Sequence, residues 1–296
     1  MDRKIVVWAV LTVVALLVTA CARPADADAP PRADVGGPTA TPSAADRAPN
    51  ASGTPASSVA PDTSVAAART AAAYRRWGLK PFPAPPAPPA VKAVRRAAGA
   101  PVPVISEIPT EAKIVFITLD DGAEKDPEFV AMMRDLGVPV TMFLTDAAIR
   151  DDYRYFTPLA ALGNGVANHT LSHPDLRTLG REAQRREICG QQTRLARRYG
   201  TTPRLFRPPY GNWNEDTRAA AGTCGVDAIV LWRESMQIEN MRYQHADRRL
   251  RPGDIILAHF RGPAELKGTS MTRMTANLLR HIQEQGFTVA RLEDYV

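Results

Sequence analysis

The sequence predicts an α/β fold over residues 106–296, with a parallel sheet or barrel and helices outside it. The first observation is that short apolar runs of strand length alternate, six or seven times, with longer stretches of helical spacing. The second is that polar side chains suited to metal binding or proton transfer follow several of these runs. Strands that alternate with helices favour parallel pairing, because each crossover helix returns the chain to the start of the next strand.

The apolar runs define the predicted strands in chain order. They lie at 114–119, 138–144, 166–167, 205–206, 226–232, 255–258 and 287–292. Helical spacing is clearest at 128–136 and at 181–199, and the second helix is expected to end at Gly200. Residues 233–251 and 261–271 are predicted to be long loops that shape a substrate groove, with arginines that face an anionic sugar or solvent.

Composition divides the chain before this block. The 296 residues carry 37 Lys+Arg and 31 Asp+Glu, a formal charge of +6. Residues 1–21 contribute +1 and residues 22–105 contribute +5, whereas residues 106–296 hold 25 charges of each sign. We therefore expect no nucleic-acid binding by the folded block, because it lacks the basic excess that such binding requires.

The first 21 residues have the pattern of an export signal. A charged region at 2–4 precedes an apolar stretch at 5–18, which is shorter than the roughly 20 residues of a spanning helix. The segment ends Leu-Val-Thr-Ala-Cys, which resembles the lipobox of bacterial lipoproteins. This resemblance implies lipidation of Cys21 and attachment to the outer face of the cell membrane. An ordinary secretory signal cut nearby, which would leave the protein secreted, is the alternative.

Residues 22–105 are predicted to form a flexible, disordered linker. They hold 16 of the 26 prolines and almost no large apolar side chains, so they bury too little surface to offset the entropy of ordering. The run 81–89 favours a polyproline II spacer. An aromatic and basic island at 74–80 is predicted to be solvated, with docking on the domain or on an anionic wall polymer as alternatives.

Potential catalytic side chains follow four of the strands. They are Asp120 and Asp121 after the first run, His169 and His173 after the third, Arg207 and Tyr210 after the fourth, and His259 at the end of the sixth. In a βα barrel the C-terminal strand ends converge on one mouth, where the active site lies. The sequence therefore predicts an enzyme.

Two histidines and one aspartate offer a ligand set suited to zinc or another divalent transition metal. Alone, His169 and His173 would equally fit one solvated and one core histidine. Neighbouring Asp120 and Asp121 point in different directions, so one can bind a metal while the other accepts a proton. A plain Asp-Asp-Gly turn is the alternative for this pair.

Four motifs in this block resemble those of the polysaccharide deacetylases, the fourth family of carbohydrate esterases. They are Thr-Leu-Asp-Asp-Gly at 118–122, His-Thr-Leu-Ser-His at 169–173, Arg-Pro-Pro-Tyr-Gly at 207–211 and Leu-Ala-His at 257–259. The resemblance covers about residues 113–292. It implies a distorted seven-stranded βα barrel that removes acetyl groups, most often N-acetyl, from chitin, peptidoglycan or another acetylated polysaccharide.

The resemblance also implies a role for each residue. The metal ligands are Asp121, His169 and His173, with Zn²⁺ as the expected ion. The groups that act on substrate are Asp120 as base, His259 as acid and the backbone N–H of Tyr210 as oxyanion donor. Arg207 is expected to pair with Asp120. Trp232 and Leu257 are expected to line the pocket for the acetyl methyl. A surface salt bridge is the alternative for Arg207, and plain core packing is the alternative for Trp232.

One motif departs from the family pattern, because no aspartate follows Trp232 closely. Glu234 or Glu239 is the candidate replacement. If neither glutamate replaces the aspartate, the alternative function is a polysaccharide-binding lipoprotein that does not turn over its substrate. A two-histidine iron oxygenase is a third possibility, but it needs neither Asp120 nor His259.

Cys189 and Cys224 are the only cysteines after Cys21. In an exported domain, two thiols indicate a disulfide. Two free buried thiols are the alternative.

Overall fold

A computed structural model describes residues 63–296, and the predicted signal segment, Cys21 and the linker up to residue 62 lie outside the described residues. The helices are α1 (Thr63–Arg76), α2 (Pro127–Leu136), α3 (Asp146–Ile149), α4 (Phe156–Ala161), α5 (Arg181–Tyr199), α6 (Glu215–Thr223) and α7 (Met271–Glu284). The strands are β1 (Val104–Ile105), β2 (Ile114–Asp121), β3 (Thr141–Leu144), β4 (Gly165–Asn168), β5 (Leu205–Phe206), β6 (Ala228–Val230), β7 (Glu234–Met236), β8 (Met241–Tyr243), β9 (Ile255–His259) and β10 (Thr288–Val289).

The strands form one curled sheet in the order β1-β6-β5-β4-β3-β2-β9-β7-β8, and β10 pairs with the start of β2. Every pairing is parallel except that of β7 with β8. An antiparallel bridge between Glu107, after β1, and Asp254, before β9, draws the two sides of the sheet together. This architecture confirms the predicted α/β class and the distorted barrel.

The predicted helices and central strands follow the local sequence signals. In β2, residues 114–120 are all buried, which explains its unbroken apolar run. Helix α2 begins where the Asp126 carboxylate accepts the Glu128 N–H at 2.8 Å. Helix α5 ends at Gly200, which adopts a φ of 72°, as the sequence predicts.

The prediction of a disordered linker is wrong for the two ends of residues 63–105, because α1 and β1 pack on the domain, whereas most of residues 83–101 are exposed. Helix α1 lies against α2, where the Tyr74 hydroxyl donates to the Leu136 carbonyl at 2.8 Å. The Trp77 indole N–H donates to Asp135 Oδ2 at 2.9 Å. The aromatic island is therefore docked, because its rings cover apolar surface while their polar ends find partners.

The segment 233–251 is also more ordered than the predicted loop. It contains the β7–β8 hairpin, and β7 continues the parallel sheet beside β9. Each of these strands has three residues and includes polar side chains, so neither produces an apolar run.

Cys189 in α5 and Cys224, directly after α6, form a disulfide with their Cα atoms 5.0 Å apart. The bond ties two neighbouring helices and spans a sequence separation of 35 residues. A loop of that size corresponds to about 3 to 4 kcal/mol in the chain-entropy account of disulfides. Within residues 63–296, no helix combines the length and apolar character needed to cross a membrane.

Candidate functional site

Four strand ends bring the predicted site residues together at one edge of the sheet. Asp120 and Asp121 end β2, His169 follows β4, Arg207 follows β5, and His259 ends β9. Asp120 and His259 are direct neighbours in the β2–β9 register. Parallel pairing places all these ends on the same side of the sheet, as the sequence predicts for a barrel mouth.

Asp121, His169 and His173 form a potential metal site, because their ligand atoms all lie within 4.8 Å of one another. Asp121 Oδ1 lies 3.6 Å from His169 Nε2 and 3.3 Å from His173 Nε2. His169 Nδ1 lies 2.7 Å from the Arg207 carbonyl oxygen, so a proton on Nδ1 leaves Nε2 free to bind a metal. Burial opposes ionisation of Asp121, but the two histidines outweigh it and lower the pKa of this carboxyl.

The backbone around the site adopts conformations that non-glycine residues rarely show. The φ angles are 71° at Asp121, 70° at Thr170, 58° at His173 and 62° at Tyr210. Such left-handed conformations cost of order 1–3 kcal/mol each and persist only where the surroundings hold them. Two of the four, Asp121 and His173, are candidate ligands, and the other two lie beside them, which indicates a geometry fixed by its neighbours.

Glu187 on α5 holds the turn between the two histidines. Its carboxylate accepts the Leu171 N–H at 2.9 Å, the Ser172 N–H at 2.8 Å and the Ser172 hydroxyl at 2.8 Å. Within the turn, the His173 N–H donates to the Thr170 hydroxyl at 3.1 Å. Sequence reasoning missed Glu187, because only the packing of α5 brings this helical residue to the turn.

Replacing Glu187→Gln should weaken divalent metal binding by roughly 10- to 100-fold, as loss of groups that orient metal ligands does elsewhere. The amide keeps one acceptor oxygen for three donors, so the turn loses part of its support. Competition with a chromogenic zinc chelator measures the change. Glu182→Gln is the control, because Glu182 lies on the same helix and its side chain pairs only with Arg185 among the described residues. Equal zinc affinity of the two variants would contradict the role of Glu187.

Arg207 is completely buried and forms an ion pair with Asp120. Its Nη1 donates to Asp120 Oδ1 at 2.6 Å and to the Thr118 hydroxyl at 2.8 Å. Its Nε donates to the Val230 carbonyl at 2.9 Å. The pair is therefore not the surface salt bridge considered as an alternative. Asp120 Oδ2 lies on the side of His169 Nε2, 3.8 Å away.

Trp232 and Leu257 line the same region. The Trp232 ring lies 5.5 Å from the Arg207 guanidinium carbon. A Cβ added at Gly211 would come within 3.0 Å of Trp232, so the ring packs on the turn that contains Tyr210. Leu257 is buried two residues before His259 on β9, and alternation along a strand places both on one face.

The Tyr210 backbone N–H has no acceptor within residues 63–296, whereas its side chain is 64% exposed. The ring contacts the edge of His173, with centroids 4.9 Å apart. A free N–H beside a candidate ligand is available to an incoming oxygen atom.

Neither Glu234 nor Glu239 replaces the missing aspartate beside His259. Glu234 is fully buried near Asp254, and burial together with this second carboxyl raises the pKa of Glu234. Glu239 is exposed. The carboxylates that act on His259 are the two at the end of β2, and they only partly offset burial, which lowers the pKa of this imidazole.

The fold and the site define a curled βα barrel with a potential Asp-His-His metal site at its mouth. The family model described as polysaccharide deacetylase matches residues 107–229. An uncharacterised protein of Streptomyces coelicolor is 42% identical over 195 residues, which cover 66% of this chain and 77% of that protein. A chitooligosaccharide deacetylase of Sinorhizobium fredii is 29% identical over 201 residues, which cover 62% of this chain and 92% of the relative. The chain belongs to the polysaccharide deacetylase family.

Solved structures show the same fold. A family 4 carbohydrate esterase pseudoenzyme from Bacillus anthracis matches with a TM-score of 0.56 and 20% identity, covering 66% of this chain and 69% of that chain. At this identity the likeness concerns the fold alone.

Proposed function

We propose that this protein is a metal-dependent hydrolase that removes acetyl groups, chiefly N-acetyl, from a cell-wall or other extracellular polysaccharide. The observation that carries the proposal is the position of the Asp120–Arg207 pair beside the potential metal site, with His259 on the neighbouring strand. Polysaccharide deacetylation, the activity of this family, supports the choice of reaction.

The donor set fits Zn²⁺, because two imidazole nitrogens and one carboxylate oxygen leave positions open for water and substrate. Asp121, His169 and His173 would hold the ion. The chemistry that zinc would supply there is polarisation of the acetyl carbonyl and a lower pKa for a water molecule.

Asp120 is proposed to take the proton from the attacking water. The Arg207 guanidinium occupies Oδ1, so Oδ2, on the side of the metal ligands, is the oxygen that accepts this proton. The same ion pair compensates the charge of the buried carboxylate.

The remaining residues act on the acetyl group and the leaving amine. The Tyr210 N–H is proposed to donate to the oxyanion that forms when water attacks the carbonyl. His259 then gives a proton to the sugar nitrogen, the C–N bond breaks, and acetate leaves. Trp232 and Leu257 would enclose the acetyl methyl.

We also propose that the protein is exported and anchored through a lipid on Cys21, or secreted if that cysteine is not used. The lipobox-like end of the N-terminal segment supports lipidation. The Cys189–Cys224 disulfide supports export, because disulfides persist in oxidising compartments.

A polysaccharide-binding protein without turnover is the second candidate. The sequence lacks the additional carboxylate of the fourth motif, which would tune His259. Incubation with acetylated chitooligosaccharides and peptidoglycan fragments separates the two functions. The deacetylase releases acetate, whereas retention of glycan without acetate release from any substrate would favour the binding protein.

A further inference from the structure

A strongly basic cavity of about 420 Å³ lies beside α3 and the C-terminal half of α5. Its lining residues are Asp146, Arg150, Tyr153, Arg194, Arg197 and Arg198. Four guanidinium groups and one carboxylate give these residues a net charge of +3. The cavity shares no lining residue with the deacetylase site.

Buried contacts fix part of this cavity in place. Asp146 is 3% exposed, and its two carboxylate oxygens accept the Tyr153 hydroxyl and the Arg194 guanidinium separately. The Arg198 guanidinium lies over the Tyr153 ring, 4.9 Å from its centroid. One buried carboxylate therefore holds Arg194 directly and supports Arg198 through the tyrosine.

The remaining positive charge has no carboxylate partner among the described residues. Within residues 63–296, Arg150, Arg197 and Arg198 form no ion pair. The neighbouring acids Asp151 and Asp152 do not line the cavity. Like charges around one cavity repel each other, and a bound anion would relieve that repulsion.

We propose that this cavity binds an organic phosphate. Guanidinium groups match phosphate oxygens with paired, charge-assisted hydrogen bonds. The volume falls within the roughly 300–1,000 Å³ of ligand sites, which leaves room for a group esterified to the phosphate. The ligand is a small phosphate ester or a phosphate unit of an anionic envelope polymer.

A backbone hydrogen bond connects the cavity to the turn that carries the candidate metal ligands. The Asp146 N–H donates at 3.3 Å to the carbonyl of Thr170, which lies between the two histidine ligands. A phosphate-bearing polymer held here would keep the barrel mouth beside the envelope. The phosphate site does not depend on the deacetylase activity, so each can fail alone.

Calorimetric titration of the full chain at fixed ionic strength tests the site. The probes are inorganic phosphate, glycerol 3-phosphate and poly(glycerol phosphate), with glycerol as the neutral control. We expect the phosphate esters to bind, and the double variant Arg150→Gln and Arg197→Gln to lose at least about tenfold in affinity. Both arginines are exposed, so the variant is expected to fold, and its thermal melt verifies this.

The matched control is Arg181→Gln with Arg186→Gln, which removes the same charge from exposed positions of α5 outside the cavity. A loss of phosphate affinity in the cavity variant but not in the control supports the site. The probe that binds most tightly identifies the source of the phosphate. Absence of binding to wild type, equal loss in both double variants, or equal affinity of inorganic phosphate and the two esters would overturn the proposal.

Discussion

Replacing Asp120→Asn should reduce acetate release by about 10²- to 10⁴-fold, the contribution typical of a positioned general base. The amide can keep its oxygen toward Arg207 Nη1, but it cannot take a proton from water. The three candidate ligands are unchanged, so zinc should still bind with an affinity close to that of wild type. Acetate release and zinc titration on the same preparation separate the two effects.

Asp151→Asn is the control for this substitution, because Asp151 is an exposed aspartate whose side chain forms no hydrogen bond or ion pair among the described residues. It should leave acetate release within about twofold of wild type, since it removes only an exposed charge. An Asp120→Asn variant that retains wild-type kcat would show that another group accepts the proton.

Replacing Arg207→Met should lower the free energy of unfolding by about 3 to 5 kcal/mol, the cost of breaking a buried ion pair. The Asp120 carboxylate, 3% exposed, would lose its cation, and the Val230 carbonyl and the Thr118 hydroxyl would lose a donor. Urea denaturation at neutral pH measures the difference.

Two comparisons make the Arg207 prediction specific. Arg204→Met removes an exposed arginine paired with Asp227 at 2.6 Å and should cost no more than about 1 kcal/mol. Adding Asp120→Asn to Arg207→Met should recover part of the lost stability, because the uncompensated buried charge disappears. Equal destabilisation by the Arg204 and Arg207 substitutions would contradict the buried-pair account.

The sequence predicts the centre of this fold well because its signals there are local. Buried strands such as β2 and β9 appear as unbroken apolar runs, and the side chains that end them mark one edge of a parallel sheet. Helix α5 has a glycine at its C-terminus, so its end is also predictable. The strand ends place aspartates and a histidine at one edge, but the family resemblance is what assigns Asp121, His169 and His173 as the ligand set.

The failures concern contacts made between distant parts of the chain. Residues 63–105 contain few large apolar side chains, yet Tyr74, Trp77 and Leu79 pack on a surface that only the folded barrel provides. This segment contains seven basic and no acidic residues, so residues 63–296 carry a net charge of +7 rather than zero. Glu187 and the cavity beside Arg197 likewise arise from helix packing, which composition does not reveal.

Metal removal and return test most directly the central claim, that a metal at Asp121, His169 and His173 drives acetate release. Wild type treated with a chelator and dialysed should release no acetate, and one equivalent of Zn²⁺ should restore the activity. The His173→Gln variant should not regain acetate release when Zn²⁺ is returned. The His281→Gln variant, changed on the exposed side of α7, should regain it fully. Undiminished acetate release by the metal-free protein, or full recovery of His173→Gln, would contradict the account.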